Sequence, residues 1–157
     1  MQKILLVFCA LSFFSIAAYS QTSGKRADYF PAQDVQKQLT DLVSKSQASG
    51  SGGATLGDYG SHKIQLSVRT TSGGAEIHGH YDDIFVVKQG HATLTTGGSI
   101  IDAKTSPDGE TKGSGIQDGH VQEIAAGDVV NIPAGTPHQL KIPEGVLFST
   151  IVVKVRE

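Results

Sequence analysis

The 157-residue chain carries 15 acidic and 13 basic side chains, a net charge of −2, with 38% hydrophobic residues and a single cysteine. This mild acidity, without any basic cluster, argues against nucleic acid or an anionic membrane surface as a partner. One cysteine excludes an intrachain disulfide framework, so a packed apolar core must hold the fold.

At the N-terminus Lys3 precedes an almost unbroken apolar run, Ile4 to Ala18, and Ala18-Tyr19-Ser20 sets small residues at the −3 and −1 positions before Gln21. That layout predicts a secretory signal peptide over 1–20, cleaved on export to the periplasm or the exterior. The run is short for a bilayer-spanning helix, so no membrane association is expected after cleavage. Cys9 lies inside the run and would leave with it, and loss of Lys3 takes the net charge from −2 to −3. The remaining residues, about 137, suffice for one domain.

Residues 21–56 read as an N-terminal segment. A polar stretch over 21–30 is followed by an amphipathic helix from Pro31 to about Ser46, in which Val35, Leu39, Leu42 and Val43 form one stripe. The stripe is expected to pack on the outside of the main domain, with partner binding as the sharper alternative. Ala48 to Gly53 reads as a flexible Gly/Ser connection.

Beyond residue 57 helical periodicity gives way to short runs rich in Val, Ile, Thr and Phe. Strands are expected over His62 to Thr70, Ala75 to His80, Asp83 to Lys88, His91 to Thr96, Gln122 to Ile124, Asp128 to Ile132, His138 to Ile142 and Leu147 to Val155. Many short strands separated by Gly, Asp and Pro predict an all-β sandwich or barrel over 57–157. Ile101 to Gly119 interrupts the rhythm and reads as a long loop or loose hairpin.

The chemistry is concentrated in two segments. Side chains at i, i+2 and i+4 of a strand share a face, so Glu76, His78 and His80 are expected to point together. The next strand sets Asp83, Phe85 and Val87 on one face. Some fifty residues on, Pro133-Ala134-Gly135 forms a turn that delivers His138 onto a third strand. Imidazoles and a carboxylate converging from three strands suit one divalent transition metal ion, Mn, Fe, Ni, Cu or Zn, rather than Mg or Ca. His62, His91 and His120 carry no partner signal, and Tyr81 reads as a rim or supporting group. No Ser-His-Asp arrangement or cysteine nucleophile is present in the mature chain.

These segments resemble the two conserved motifs of the cupin superfamily. The second motif, G-x5-P-x-G-x2-H-x3-N, is met by Gly127, Pro133, Gly135 and His138, with Ile142 in place of the final Asn. In the first, G-x5-H-x-H-x3or4-E-x6-G, Asp83 and Gly90 have the required spacing, with Asp replacing Glu. The histidine pair fits in two registers. His78 and His80 leave too few residues before Asp83. Glu76 and His78 restore the spacing but replace a His by Glu. Neither register has the leading glycine, since Ser72 or Thr70 stands there.

The resemblance, over roughly Lys63 to Val155, implies a single cupin barrel (a double-stranded β-helix, or jelly roll) with a short N-terminal helix. It implies metal ligands His78, His80, Asp83 and His138, with Glu76 as the alternative to His80. It further implies a small-molecule substrate or ligand, and a homodimer paired through its sheets. A metal-dependent enzyme of dioxygenase, isomerase or lyase type and a non-catalytic small-molecule-binding barrel both remain open, because the two need the same pocket.

Overall fold

The structure, a computed structural model, describes residues 26–157. The segment read as a signal peptide lies outside the described residues.

Helix α1 spans Ala32–Ser49 and ends at Gly50, whose left-handed backbone (φ 83°) donates its N–H to the Ser46 carbonyl at 2.7 Å. It runs three residues past its expected end. Its apolar stripe is spent on the barrel exterior: Leu39 packs with Leu66 and Val68, flanked by Val35, Leu42 and Val43.

Thirteen strands follow: β1 (Ser51–Asp58), β2 (His62–Arg69), β3 (Ala75–His78), β4 (Tyr81–Gln89), β5 (His91–Thr96), β6 (Ser99–Ile101), β7 (Lys104–Thr105), β8 (Glu110–Gly113), β9 (Gly115–Gln117), β10 (His120–Ala125), β11 (Val129–Ile132), β12 (His138–Lys141) and β13 (Phe148–Arg156). They form a five-stranded sheet of order β1-β2-β13-β4-β11, a six-stranded sheet of order β10-β5-β12-β3-β8-β7, and a small β6-β9 pair. All pairings are antiparallel.

Two expectations are corrected. Ser51 to Gly53 is not a flexible connection but the start of β1, and Gly52 is buried under α1. A Cβ there would stand 2.9 Å from the Leu42 carbonyl oxygen, so this glycine permits close helix–strand approach rather than flexibility. The interval after Ile101 is not a loop but three short strands, β7, β8 and β9, of which β7 and β8 form a hairpin, as the alternative reading had it, and β8 also pairs with β3. Strands of two to four residues, largely without apolar alternation, leave little periodic signal in a sequence.

The two large sheets enclose a core of Phe85, Val87, Ala92, Leu94, Ile124, Ile132, Ile142, Phe148 and Val152. Each is an alternate residue of its strand or adjoins a strand end, as a one-sided sheet requires. Gly90 joins β4 to β5 at φ 78°, and a Cβ there would collide with the Leu147 carbonyl. Gly90→Ala is therefore expected to cost about 1–3 kcal/mol. Denaturant unfolding with unchanged slope would report it, and a midpoint equal to that of the parent would contradict this role.

Candidate metal centre

Strand β3 carries Glu76 and His78 on one face, two residues apart. Strand β12 meets β3 at a single residue pair, His138 opposite Glu76, and this register brings the second imidazole to the same spot. Nε2 of His138 lies 3.6 Å from Glu76 Oε1, and Nε2 of His78 lies 4.0 Å from the same oxygen. One ligand atom from each of the three side chains lies within 4.8 Å of those of the other two. The ring centroids stand 5.1 Å apart.

The turn before β12 is fastened to the strand that it must meet. The Gly135 N–H donates to the His78 carbonyl at 2.9 Å, and the Ala134 N–H donates to Asp82 Oδ1 at 2.7 Å. The Thr136 N–H closes the turn onto the Pro133 carbonyl at 3.1 Å.

Hydrogen bonding assigns both imidazole tautomers. His138 Nδ1 is 3.0 Å from the Thr136 carbonyl oxygen, which can only accept, so Nδ1 carries the proton. His78 Nδ1 is 2.5 Å from Glu110 Oε2, delivered by β8, and the same reasoning applies. In each neutral ring the lone pair therefore sits on Nε2, facing the cluster. His138 Nε2 is fully buried without a hydrogen-bond partner. Such an orphan costs about 1–3 kcal/mol unless something fills its lone pair. A metal ion does so, and the donor set fits one. The carboxylate behind His78 also matches the usual support of a ligating imidazole.

Asp83 borders this trio. Its Oδ2 lies 3.3 Å from His78 Nε2, and its Oδ1 accepts from Lys154 Nζ at 2.6 Å. Burial disfavours ionisation of Asp83, but the adjacent His78 ring and the hydrogen-bonded Lys154 ammonium prevail and hold its pKa below the ordinary value. Glu76 behaves likewise: burial raises its pKa, but the neighbouring His138 and His78 rings and the Arg69 guanidinium outweigh it and leave the pKa lowered. Burial opposes protonation of His78, yet Asp83 and Glu110 together leave its pKa raised. The centre thus sets two ionised carboxylates beside two imidazole nitrogens, a donor set suited to a cation.

Beside it the barrel opens as a cavity of about 460 Å³, lined by Glu76, His78 and Asp83 together with Arg69, Lys154 and the apolar faces of Phe85, Phe148 and Val152. No protein-family model matches the chain, and no curated protein matches it in sequence. Solved structures do match. A predicted oxalate decarboxylase from Thermotoga maritima superposes with a TM-score of 0.51 at 14% identity, over 68% of this chain and 81% of that one. A double-stranded β-helix protein from Klebsiella pneumoniae gives 0.51 at 14% identity, over 69% and 78%. The cupin domain of Schizosaccharomyces pombe Cnp3 gives 0.52 at 11% identity, over 69% and 66%. The fold is that of the cupin superfamily.

In the cupin frame, the structure brings together Glu76, His78 and His138, with Asp83 at their margin. His80 is placed elsewhere. Strand β3 ends at His78, Gly79 and His80 form the turn into β4, and the expected alternation stops there. The exposed His80 ring borders an outer cleft with Tyr81, Asp108 and Arg156. Asp82 serves the Pro133 turn, as described above. Tyr81 accepts a hydrogen bond from Arg156 Nη2 at 2.7 Å on that outer side. His91 and His120 are exposed, and His62 stacks on Tyr59 at 4.8 Å.

Three residues of the site escaped the sequence reading: Glu110, Lys154 and Arg69. Glu110 sat in the interval read as a long loop or loose hairpin, where no strand register could be assigned. Lys154 and Arg69 were legible by parity, since Phe148, Thr150, Val152 and Lys154 alternate along β13, and Gln65, Ser67 and Arg69 along β2.

In the metal-free protein, Lys154→Met leaves the Asp83 carboxylate without its cation. The expected cost is on the order of 2 kcal/mol at neutral pH, below the ~3–5 kcal/mol of a fully buried pair because the Lys154 side chain is 20% exposed. Asp83 has a depressed pKa, so its contribution is complete above the unfolded value of ~3.9 and is lost as the pH falls through its lower folded value. Unfolding free energies of parent and variant should therefore converge below about pH 4. A gap that stays constant from pH 7 to pH 3 would contradict the pairing.

Proposed function

We propose that this protein is exported by its N-terminal signal and acts as a metal-dependent cupin on a small organic molecule. One divalent transition metal would be held by Glu76, His78 and His138. The observation that carries this reading is the pair of imidazoles whose Nδ1 protons are both committed to oxygen acceptors, leaving two Nε2 lone pairs facing one carboxylate. Two imidazoles and one carboxylate with open positions are the donor set of mononuclear non-haem iron centres, and they also accept Mn, Ni, Cu or Zn. A metal held there supplies Lewis acidity toward a substrate oxygen.

The chain's own residues define the rest. Glu110 fixes the His78 ring and its tautomer. Lys154 holds Asp83 beside the cluster, so that one carboxylate oxygen faces His78 while the other stays bound to the ammonium group. Phe85, Phe148 and Val152 exclude water from one wall of the cavity. The donor set does not select among oxygenation, isomerisation and lyase chemistry.

Metal analysis after reconstitution with Mn²⁺, Fe²⁺ or Zn²⁺ should give about one equivalent per chain, from the single three-residue cluster among the described residues. His138→Ala should abolish stoichiometric uptake, and His80→Ala should leave it intact. Absence of metal under all loadings would sink the metalloprotein reading. Loss of metal in His80→Ala alone would move the centre to the outer cleft. A fully loaded chain that stays inactive across carbonyl, hydroxy-acid and phenolic substrates would favour the non-catalytic barrel.

Glu110 permits a finer test. Glu110→Ala removes the acceptor behind His78 without touching a ligand, and it should weaken metal binding by roughly 10–100-fold. Competition with a chromogenic chelator would measure this, and unchanged affinity would mean that Glu110 does not orient the ring.

A further inference from the structure

We propose that Arg69 is the anion-recognition residue of the barrel cavity, and that the molecule it receives is a small organic acid with a carboxylate remote from the metal. The inference rests on the reading of the cavity as a small-molecule site beside a metal.

Strand parity turns Gln65, Ser67 and Arg69 of β2 toward the cavity, and Arg69 lines it. The antiparallel register with β13 sets Arg69 opposite Phe148, whereas Lys154 lies opposite Lys63 and Asp83. The two cations thus mark opposite ends of one inner face, six residues or about 20 Å apart along the backbone. Their circumstances differ. Lys154 is neutralised by Asp83 at 2.6 Å. Arg69 takes part in no ion pair and no side-chain hydrogen bond among the described residues.

A guanidinium carries five donors and does not deprotonate, so one held at the cavity wall without a protein acceptor is free to receive an anion. Gly73 leaves the space that the group occupies, since a Cβ there would lie 3.0 Å from Arg69 Nη1. Glu76 is near enough to feel the charge of Arg69 but forms no ion pair with it, and a metal would engage that carboxylate.

The charge balance agrees. Glu76 and Asp83 are offset by Lys154 and Arg69, and Glu110 behind His78 adds one negative charge, so a divalent cation leaves one positive charge in excess. The remaining polar groups, Thr55, Gln65, Ser67 and Thr150, are uncharged. One planar guanidinium fork matches a planar carboxylate bidentately. A tetrahedral phosphate would call for further cations or a nest of backbone N–H groups, which Arg69 alone does not supply.

The test is calorimetric titration of the Mn²⁺-loaded protein with malonate, succinate and glutarate, with the monoamide of the best of them, and with inorganic phosphate. The parent is expected to bind at least one dicarboxylate, and to bind its monoamide on the order of tenfold more weakly. Arg69→Gln should take up metal normally, bind the diacid no better than the monoamide, and so erase that difference. Four outcomes would overturn the proposal: no binding of any dicarboxylate by the loaded parent, equal affinity for diacid and monoamide in the parent, preference for phosphate over every diacid, or a folded, metal-loaded Arg69→Gln that keeps the parent's difference between diacid and monoamide. The diacid-to-monoamide comparison needs no variant and stands even if Arg69→Gln misfolds. Failure of metal to load would overturn the reading of the centre and not this one, which the same comparison in the metal-free protein then decides.

Discussion

The whole site depends on how one turn is pinned. Pro133 to Thr136 is held to the end of β3 by the Gly135 N–H on the His78 carbonyl, and to the start of β4 by the Ala134 N–H on Asp82. Those two bonds join segments more than fifty residues apart in sequence. They set the register in which His138 faces Glu76, the one residue pair between β12 and β3. A slip of one residue would turn every side chain of β12 to the opposite face and remove the imidazole from the cluster. The turn is therefore the device that converts two separate strand motifs into one donor set.

Around it the barrel divides its interior. One part is filled with Val87, Leu94, Ile124 and Phe148, which supply the burial that a chain with a single cysteine requires. The other is left open and polar, with Glu76, Asp83, Arg69 and Lys154 in or beside one cavity. Buried ionised groups rarely stabilise a fold, and apolar residues of similar size would serve stability as well or better. Their concentration around a single cavity, with the partnerless His138 Nε2 beside Glu76, is therefore not explained by stability.

Much of this was legible in the chain. The strand-rich barrel, the helix stripe of Val35, Leu39, Leu42 and Val43, and the delivery of His138 by Pro133 and Gly135 follow from periodicity and turn chemistry, aided by the cupin resemblance. The first motif was legible only in part, because alternation holds within a strand and fails at its end. His80 lies two residues past the last residue of β3, so parity could not place it. Glu110 was out of reach for another reason: its part depends on β8 pairing with β3, a contact made by a four-residue strand without apolar pattern. Arg69 and Lys154 were within reach, since each continues an alternating inner face, but a terminal cation at the end of such a face resembles an ordinary solvent-facing residue.

The central claim concerns three atoms, Glu76 carboxylate oxygen and the Nε2 atoms of His78 and His138. Anomalous diffraction from crystals grown with Mn²⁺ or Zn²⁺ tests it most directly. The expected result is one peak bonded to those three atoms, with His80 remote from it. A peak at His80, coordination through either Nδ1, or no peak in crystals shown by fluorescence to contain the metal would contradict it.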